Sequence, residues 1–480
     1  MSPELQAWLA AGAGSGERCQ KVVETSISWV FLYRDRALKL KKPVDFGFLD
    51  FTTAAKRGRA ARRELEFNRA LAPSIYRAVR RIVRTAAGLA FNAPGETVDW
   101  AVEMRRFDEA DVLASQPHTV AGEFAEALGR RIARLHAAAP AGKAGGGARG
   151  LKLTIDSNAR QFAALPVFAD DPRTLEVLEG TLAEFERLAP VLEARLAAGY
   201  VRRCHGDLHL GNIVLENGEP TPFDCIEFND AFSDIDVLYD LAFLTMDLGF
   251  RDERGGANRV LNGWLDEAAR AFPPDLWDGL AALPLFQSVR ATVRAHVLGH
   301  AGEPNAARAY LEAAGRHLRS AAPTLTAVGG LSGSGKTSWA RHAAPALGPS
   351  PGAVVLRTDE IRKRLASRPP TERLPRIAYT READSRVYQT MFEAARACLA
   401  AGWSVVLDGV FLDPGERAAA QRVAAGAGAP FDGVWLEAPA EVIRARLMAR
   451  GPDASDADAA VLAAQLARDP GPISWRRLAA

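Results

Sequence analysis

Hydrophobic and polar positions follow two different rhythms along the chain. Between residues 21 and 107 the dominant period is two. VVETSISWVFLYRDRALKLKKPV predicts two strands around the turn Arg34-Asp35-Arg36, with Lys39 and Lys41 on one face and Leu38 and Leu40 on the other. Ile82 to Thr85, Leu89 to Phe91 and VDWAVEMRRF read as further strands, the last ending near Phe107. Ala54 to Leu71, lying between them, has helical character with many basic residues. From Val120 to about Ser320 the pattern is mainly helical. AAPAGKAGGGARG, residues 138–150, is a flexible loop by composition. Ile213 to Leu215 and Thr221 to Phe223 predict a hairpin around Glu216-Asn217-Gly218-Glu219. Residues 1–20, which include AAGAGSG, read as a flexible lead-in.

After Ala321-Ala322-Pro323, a predicted linker, the rhythm changes. LTAVGG, AVVLRTD, WSVVLDG and DGVWLEA are short apolar runs separated by helical stretches. Strands alternating with helices predict a parallel sheet covered by helices. The chain therefore divides into an α+β domain over 21–320, with a small lobe to about residue 107, and an α/β domain over 324–480.

The strongest local motif lies at the start of the second domain. GLSGSGKT follows an apolar strand and precedes a helix, SWARHAAPAL. Gly330, Gly333 and Gly335 let backbone N–H groups, with that of Ser334, surround phosphate oxygens. Lys336 reaches the outer phosphates of ATP, and Thr337 offers a hydroxyl to Mg²⁺. Lysine is scarce, with nine in 480 residues, so its placement here carries weight. The strand order resembles the small P-loop kinases, among them gluconate kinase, chloramphenicol phosphotransferase and zeta-toxin-type kinases. That resemblance implies Asp359 as the base for an acceptor hydroxyl and Asp408 as a carboxylate acting on Mg²⁺. In VIRARLMARG it implies Arg446 and Arg450, four apart on one helix face, as arginines that stabilise the transferring phosphoryl group. Tyr379 to Tyr388 is a candidate wall of an acceptor pocket.

The first domain holds a second constellation, HGDLHLGNIVLENGEPTPFDCIEFN, His205 to Asn229. Asp207 is placed to accept a proton from an attacking hydroxyl. Asn212 and Asp224 are hard oxygen donors suited to Mg²⁺. The spacing of Asp and Asn marks His205 and His209 as part of this loop rather than a metal pair. HGDLHxGN followed by a strand ending in Asp resembles the catalytic loop of aminoglycoside phosphotransferase-like kinases, a group with choline and fructosamine kinases. The resemblance implies a protein-kinase-like bilobal fold, with Lys39 or Lys41 holding the phosphates of ATP and Glu64 or Glu66 as its acidic partner. We take Lys39 and Glu64 as first candidates. It also implies a hinge near Phe107 for adenine. The acidic run Asp230, Asp234, Asp236 and Asp240 either lines a pocket for a cationic substrate or caps a helix start.

Together the halves resemble the bacterial group of bifunctional aminoglycoside phosphotransferase/ATP-binding proteins. Cys225-Ile226-Glu227 follows Asp224 where antibiotic-modifying members carry an aromatic residue, which weighs against aminoglycosides as acceptors. The expectation is a two-site ATP- and Mg²⁺-dependent kinase acting on small-molecule hydroxyls. The alternative is a regulatory ATP-binding protein in which one domain senses nucleotide and gates the other. Sixty basic and 58 acidic residues give a net charge of +2, which supplies no argument for nucleic acid or membrane partners. Four cysteines without CxxC spacing and the absence of a long apolar run point to the cytoplasm.

Overall fold

The computed structural model describes residues 1–47, 49–142, 146–169, 171–449 and 454–479. It forms two compact units. One comprises Met1–Thr119, Ala139–Gly150 and Val201–Asp240, and the other Val120–Ala138, Leu151–Tyr200 and Leu241–Ala480.

The first unit contains a six-stranded antiparallel sheet built from β1 (Lys21–Glu24), β2 (Ser28–Leu32), β3 (Arg36–Lys41), β4 (Tyr76–Thr85), β5 (Gly88–Phe91) and β6 (Glu96–Arg105), in the order β1-β2-β3-β6-β4-β5. The first expected strand is in fact two. Thr25 breaks it by accepting from the Ser28 N–H at 3.0 Å, so β1 turns back on β2. The expected helix spans Ala54–Leu71, with Thr53 capping its start. It lies against β6, where Gly58 leaves room for the Trp100 indole; a Cβ there would meet Trp100 Nε1 at 2.5 Å. Arg57 fixes the contact through a buried bidentate pair with Asp99 at 2.8 and 3.1 Å.

The lead-in is not a flexible tail. Ser2 caps a Pro3–Ala10 helix, and Leu5 and Leu9 bury themselves with Phe31, Leu38 and Leu40. The glycine-rich stretch after it hides this short amphipathic turn from a composition reading. The remaining strands of this unit are β7 (Val201–Arg203), β8 (Ile213–Glu216), β9 (Glu219–Pro222) and β10 (Asp234–Asp236). β8 and β9 form the expected hairpin, with Asn217 and Gly218 at φ +53° and +83°, the left-handed pair a tight two-residue turn requires. In 138–150, residues 143–145 lie outside the described residues, and a helix already begins at Gly147.

In the second unit the Gly122–Ala138 helix packs closely on Arg254–Ala268. Gly129 and Gly263 lie directly against the backbone carbonyls of Val260 and Glu126 across that contact. A five-stranded parallel sheet follows, formed by β11 (Leu325–Gly329), β12 (Val354–Arg357), β13 (Val405–Asp408), β14 (Phe431–Glu437) and β15 (Arg476–Ala479), in the order β12-β13-β11-β14-β15. β15 had no counterpart in the sequence reading. Its RRLA has neither an apolar run nor an alternation, because the strand forms an exposed edge.

The opposite edge, β12, is covered. Asn262 Oδ1 accepts from the Val355 N–H at 2.7 Å, and the Asn258 and Asn262 amides donate to the Ala353 carbonyl at 3.0 and 3.2 Å. Edge groups that would pair with another chain are thereby satisfied by side chains of the Arg254–Ala268 helix. Glu126 adds ion pairs to Arg259 at 3.3 Å and Arg341 at 2.5 Å. These contacts explain why compactness groups the helices before residue 320 with the parallel sheet.

Candidate active sites

In the first unit the loop after β7 is fixed by its backbone. The N–H groups of His205 and Gly206 donate to the two oxygens of buried Asp240 at 3.1 and 2.8 Å. His205 is itself buried. Its Nδ1 accepts from the Asp207 N–H at 3.3 Å, so Nε2 carries the proton and donates to the Phe223 carbonyl at 2.8 Å. Burial pushes this imidazole below its ordinary range. With both ring nitrogens engaged, His205 ties the loop to the end of the hairpin. His209 Nδ1 accepts from the Gly211 N–H at 3.0 Å, closing the short turn that presents Asn212.

Asn212 donates to both the carbonyl and the Oδ2 of Asp207, each at 3.0 Å. The Asp207 carboxylate is thus oriented at the loop surface. Asp224, two residues past β9, sits at φ +62°, a conformation that a non-glycine residue adopts only when its surroundings hold it. Its N–H donates to the Tyr76 hydroxyl at 3.1 Å, and the next N–H, of Cys225, donates to Asn68 Oδ1 at 2.9 Å. Asp224 Oδ1 pairs with Lys39, while Oδ2 has no hydrogen-bond partner among the described residues and is open to a cation.

Lys39 lies 2.9 Å from Glu64 Oε1, and Lys41 lies 2.7 Å from Glu64 Oε2 and 2.6 Å from Glu227. Glu64 is fully buried, whereas Glu66 is exposed. Burial alone would raise the Glu64 carboxyl, but Lys39 and Lys41 reverse that and hold it at about 2. Burial likewise works against the Lys39 ammonium, and Asp224 and Glu64 more than offset it. The result is a permanently ionised lysine beside Asp224. Glu227, paired with Lys41, is raised by burial. No motif marked Glu227, Tyr76 or Asn68 in the sequence; only the shared face of Lys39 and Lys41 hinted at a two-lysine cluster.

The acidic run is committed to structure. Asp230 pairs with Arg63 and Arg203, buried Asp234 with Arg203, and Asp236 caps the Leu238 N–H at 2.8 Å. These bonds favour the capping explanation over an open pocket for a cation.

In the second unit β11 runs into a loop whose Gly330, Gly333 and Gly335 have φ of +137°, +86° and +95°. A Cβ at Gly330 would meet the Leu436 carbonyl at 2.5 Å. Lys336 opens the Lys336–Ala343 helix and bends back so that Nζ donates to the Leu331 carbonyl at 2.9 Å. Ser334 is buried with no partner for its hydroxyl among the described residues. Thr337 Oγ1 donates to Asp408 Oδ2 at 2.7 Å, joining the first helical turn to the end of β13. The positive-φ backbone, the lysine, and a hydroxyl paired with a carboxylate fit the phosphates and Mg²⁺ of a nucleotide.

Asp359 stands in the first turn of the Thr358–Leu365 helix, directly after β12. Burial raises its carboxyl above the ordinary range; Arg357 opposes the rise and Asp408 adds to it. Arg357 lies 3.5 Å from both Asp408 and Glu360, so one guanidinium stands between the two carboxylates. Arg446 is exposed on the Ala440–Ala449 helix and has no hydrogen bond or ion pair among the described residues, and Arg450 lies outside them. Tyr388 is buried, its hydroxyl accepting from the Phe411 N–H at 2.9 Å. Tyr379 instead donates to Asp456, which also holds fully buried Lys363 at 2.7 Å. Only Tyr379 of that segment's two tyrosines therefore reaches an accessible wall.

Residues 49–283 match the phosphotransferase enzyme family, and residues 325–472 match a family described as an AAA domain. An uncharacterized protein of Mycobacterium tuberculosis (strain ATCC 25618 / H37Rv) is 34% identical over 468 residues, covering 93% of this chain and 89% of its own. Among solved structures, a gluconokinase from Sinorhizobium meliloti 1021 is 23% identical over 34% of this chain and 84% of its own, with a TM-score of 0.24. A choline kinase from Cryptosporidium parvum Iowa II is 11% identical over 62% of this chain and 87% of its own, with a TM-score of 0.40. The chain is a kinase and belongs to the family that joins an aminoglycoside phosphotransferase-like domain to a C-terminal P-loop kinase domain.

Proposed function

We propose that the chain carries two phosphoryl-transfer sites, each moving the γ-phosphoryl group of ATP to the hydroxyl of a small molecule. The observation that supports this reading is that each half gathers residues of the kinds such a site would need: Lys39, Glu64, Asp207, Asn212 and Asp224 in one, Lys336, Thr337, Asp359 and Asp408 in the other. A chain that used one half only to sense nucleotide would have no use for a second positioned base.

In the first site Asp207, oriented by Asn212, accepts the proton of the acceptor hydroxyl. Lys39 is held by Glu64 at the position from which it steadies the phosphates. Asn212 and Asp224 are the residues that would hold Mg²⁺. In the second site Lys336 and the loop N–H groups bind the phosphates, and Thr337 and Asp408 would hold Mg²⁺. Asp359 takes the acceptor proton, and Arg446 and Arg450 are the candidates for stabilising the transferring group. In both, bound Mg²⁺ supplies charge neutralisation on the phosphate oxygens. The raised carboxyl of Asp359 suits a base, since proton affinity near the working pH favours transfer. The unbridged cysteines are consistent with a cytoplasmic location.

The test is to incubate wild type, Asp207→Ala and Lys336→Ala with Mg²⁺-ATP and a deproteinised bacterial extract, and to follow phosphorylated metabolites by mass spectrometry. Each variant is expected to lose a different product. If neither substitution removes a product while ATP still binds, the two-site reading fails.

A further inference from the structure

A cavity of about 620 Å³ opens within the second unit, between the ends of the Gly122–Ala138 and Arg254–Ala268 helices and the segment after Thr358–Leu365. Arg134, Arg270, Arg364 and Arg368 line it, with Glu267 the one carboxylate among its lining residues. None of these belongs to either phosphoryl-transfer set.

Four guanidiniums thus face this space against one lining carboxylate. Arg364 has no hydrogen bond or ion pair among the described residues; burial lowers its pKa, Arg270 adds to that, and the nearby carboxylates of Asp266 and Glu360 oppose it. Arg270 donates to the Arg368 carbonyl at 2.8 Å and lies 3.9 Å from Glu360, yet its Nε is buried without an acceptor among the described residues. Arg134 meets Glu267 only at 3.5 Å and remains exposed. Arg368, also exposed, pairs with Glu372 at 3.0 Å. Planar guanidiniums facing one space complement a phosphate's oxygens.

We propose that this cavity binds a phosphorylated small molecule, its phosphate held by Arg270 and Arg364 and its approach flanked by Arg134 and Arg368. The volume lies within the range for metabolite-sized ligands, and Ala269 and Pro369 offer apolar wall for an organic remainder. Because its lining shares no residue with either set, its ligand can be measured with both nucleotide sites filled.

The test is calorimetric titration of inorganic phosphate and pyrophosphate into the full chain saturated with Mg²⁺ and a non-hydrolysable ATP analogue. Wild type is expected to bind one equivalent. Arg364→Gln and Arg270→Gln should each weaken binding by roughly tenfold or more, the loss of a charge-assisted bond. Arg134→Ala/Arg368→Ala removes only exposed side chains, so it should weaken binding without lowering the unfolding temperature of the ligand-free chain. Lys336→Ala should retain binding. No uptake of either probe at millimolar concentration by wild type overturns the proposal, as does undiminished affinity in the exposed double variant.

Discussion

Glu64 Oε1 lies 2.9 Å from Lys39 Nζ, and the same carboxylate holds Lys41 through its other oxygen at 2.7 Å. One buried acid thus fixes two lysines of β3. Its partners set a sign for the acid limb of stability. Glu64 is lowered from 4.5 to about 2 in the folded chain, so its contribution is fully present above about 4.5 and is lost as the pH falls towards 2. Glu227 is raised, so its own effect runs the other way, favouring the folded state as the pH drops towards its unfolded value. Glu64→Gln should therefore flatten the acid loss of stability in pH-dependent denaturant melts. A melt series as steep as wild type between pH 5 and 3 would remove Glu64 from this role.

Lys39 and Lys41 should separate in kinetics. Lys39 alone contacts Asp224, whereas Lys41 is enclosed by Glu64 and Glu227. Lys39→Met is expected to lower turnover of the first product on the order of 10²–10³-fold, as loss of a charge aimed at the transferring group does. Lys41→Met should chiefly lower stability, because it leaves two buried carboxylates short of a partner. Steady-state rates set beside melting temperatures decide this, and equal turnover losses at equal stability would contradict the division.

How much of this was legible varies with how local each signal is. The phosphate loop was readable because glycines, Lys336 and Thr337 act within one strand–loop–helix segment. Glu64 and Glu66 could not be told apart, since two residues on one basic helix differ only in the face that the sheet covers. The Pro3–Ala10 helix was hidden by its glycine-rich neighbour, and β15 by its exposed, charged sequence. Glu227, Asn258 and Asn262 carry no motif at all. Their importance comes from which unsatisfied group they meet after folding.

Asn262 supplies a direct stability test. Its side chain is the hydrogen-bond partner of the Val355 N–H on edge strand β12. Asn262→Ala leaves that N–H and the Ala353 carbonyl underserved, which should cost about 1–3 kcal/mol. Asn262→Asp keeps the acceptor and should be milder for Val355, although it cannot donate to Ala353. Urea melts monitored by tryptophan fluorescence would show the order; a neutral Asn262→Ala would mean that the edge is satisfied in another way.

The same junction should respond to pH near neutrality. Asp266 is raised from 3.8 to about 7, by burial first and then by Glu360, against Arg130, Arg364 and Arg357. Arg130 Nη2 lies 3.3 Å from Asp266 and 2.8 Å from Glu360, so one guanidinium serves two acids. Because the folded chain holds this proton more tightly than the unfolded chain, stability from Asp266 is greatest below about 4 and is lost as the pH rises through 7. Asp266→Asn fixes the neutral form, and its melting temperature should fall less than that of wild type between pH 5 and 8. Arg130→Ala, by contrast, takes the nearest cation from both acids and should cost about 3–5 kcal/mol at pH 8, with a smaller loss at pH 5, where Asp266 is protonated in either chain. Calorimetry of the three proteins across that interval tests both statements. Parallel curves for wild type and Asp266→Asn would show that the proton on Asp266 does not govern how these helices hold the parallel sheet.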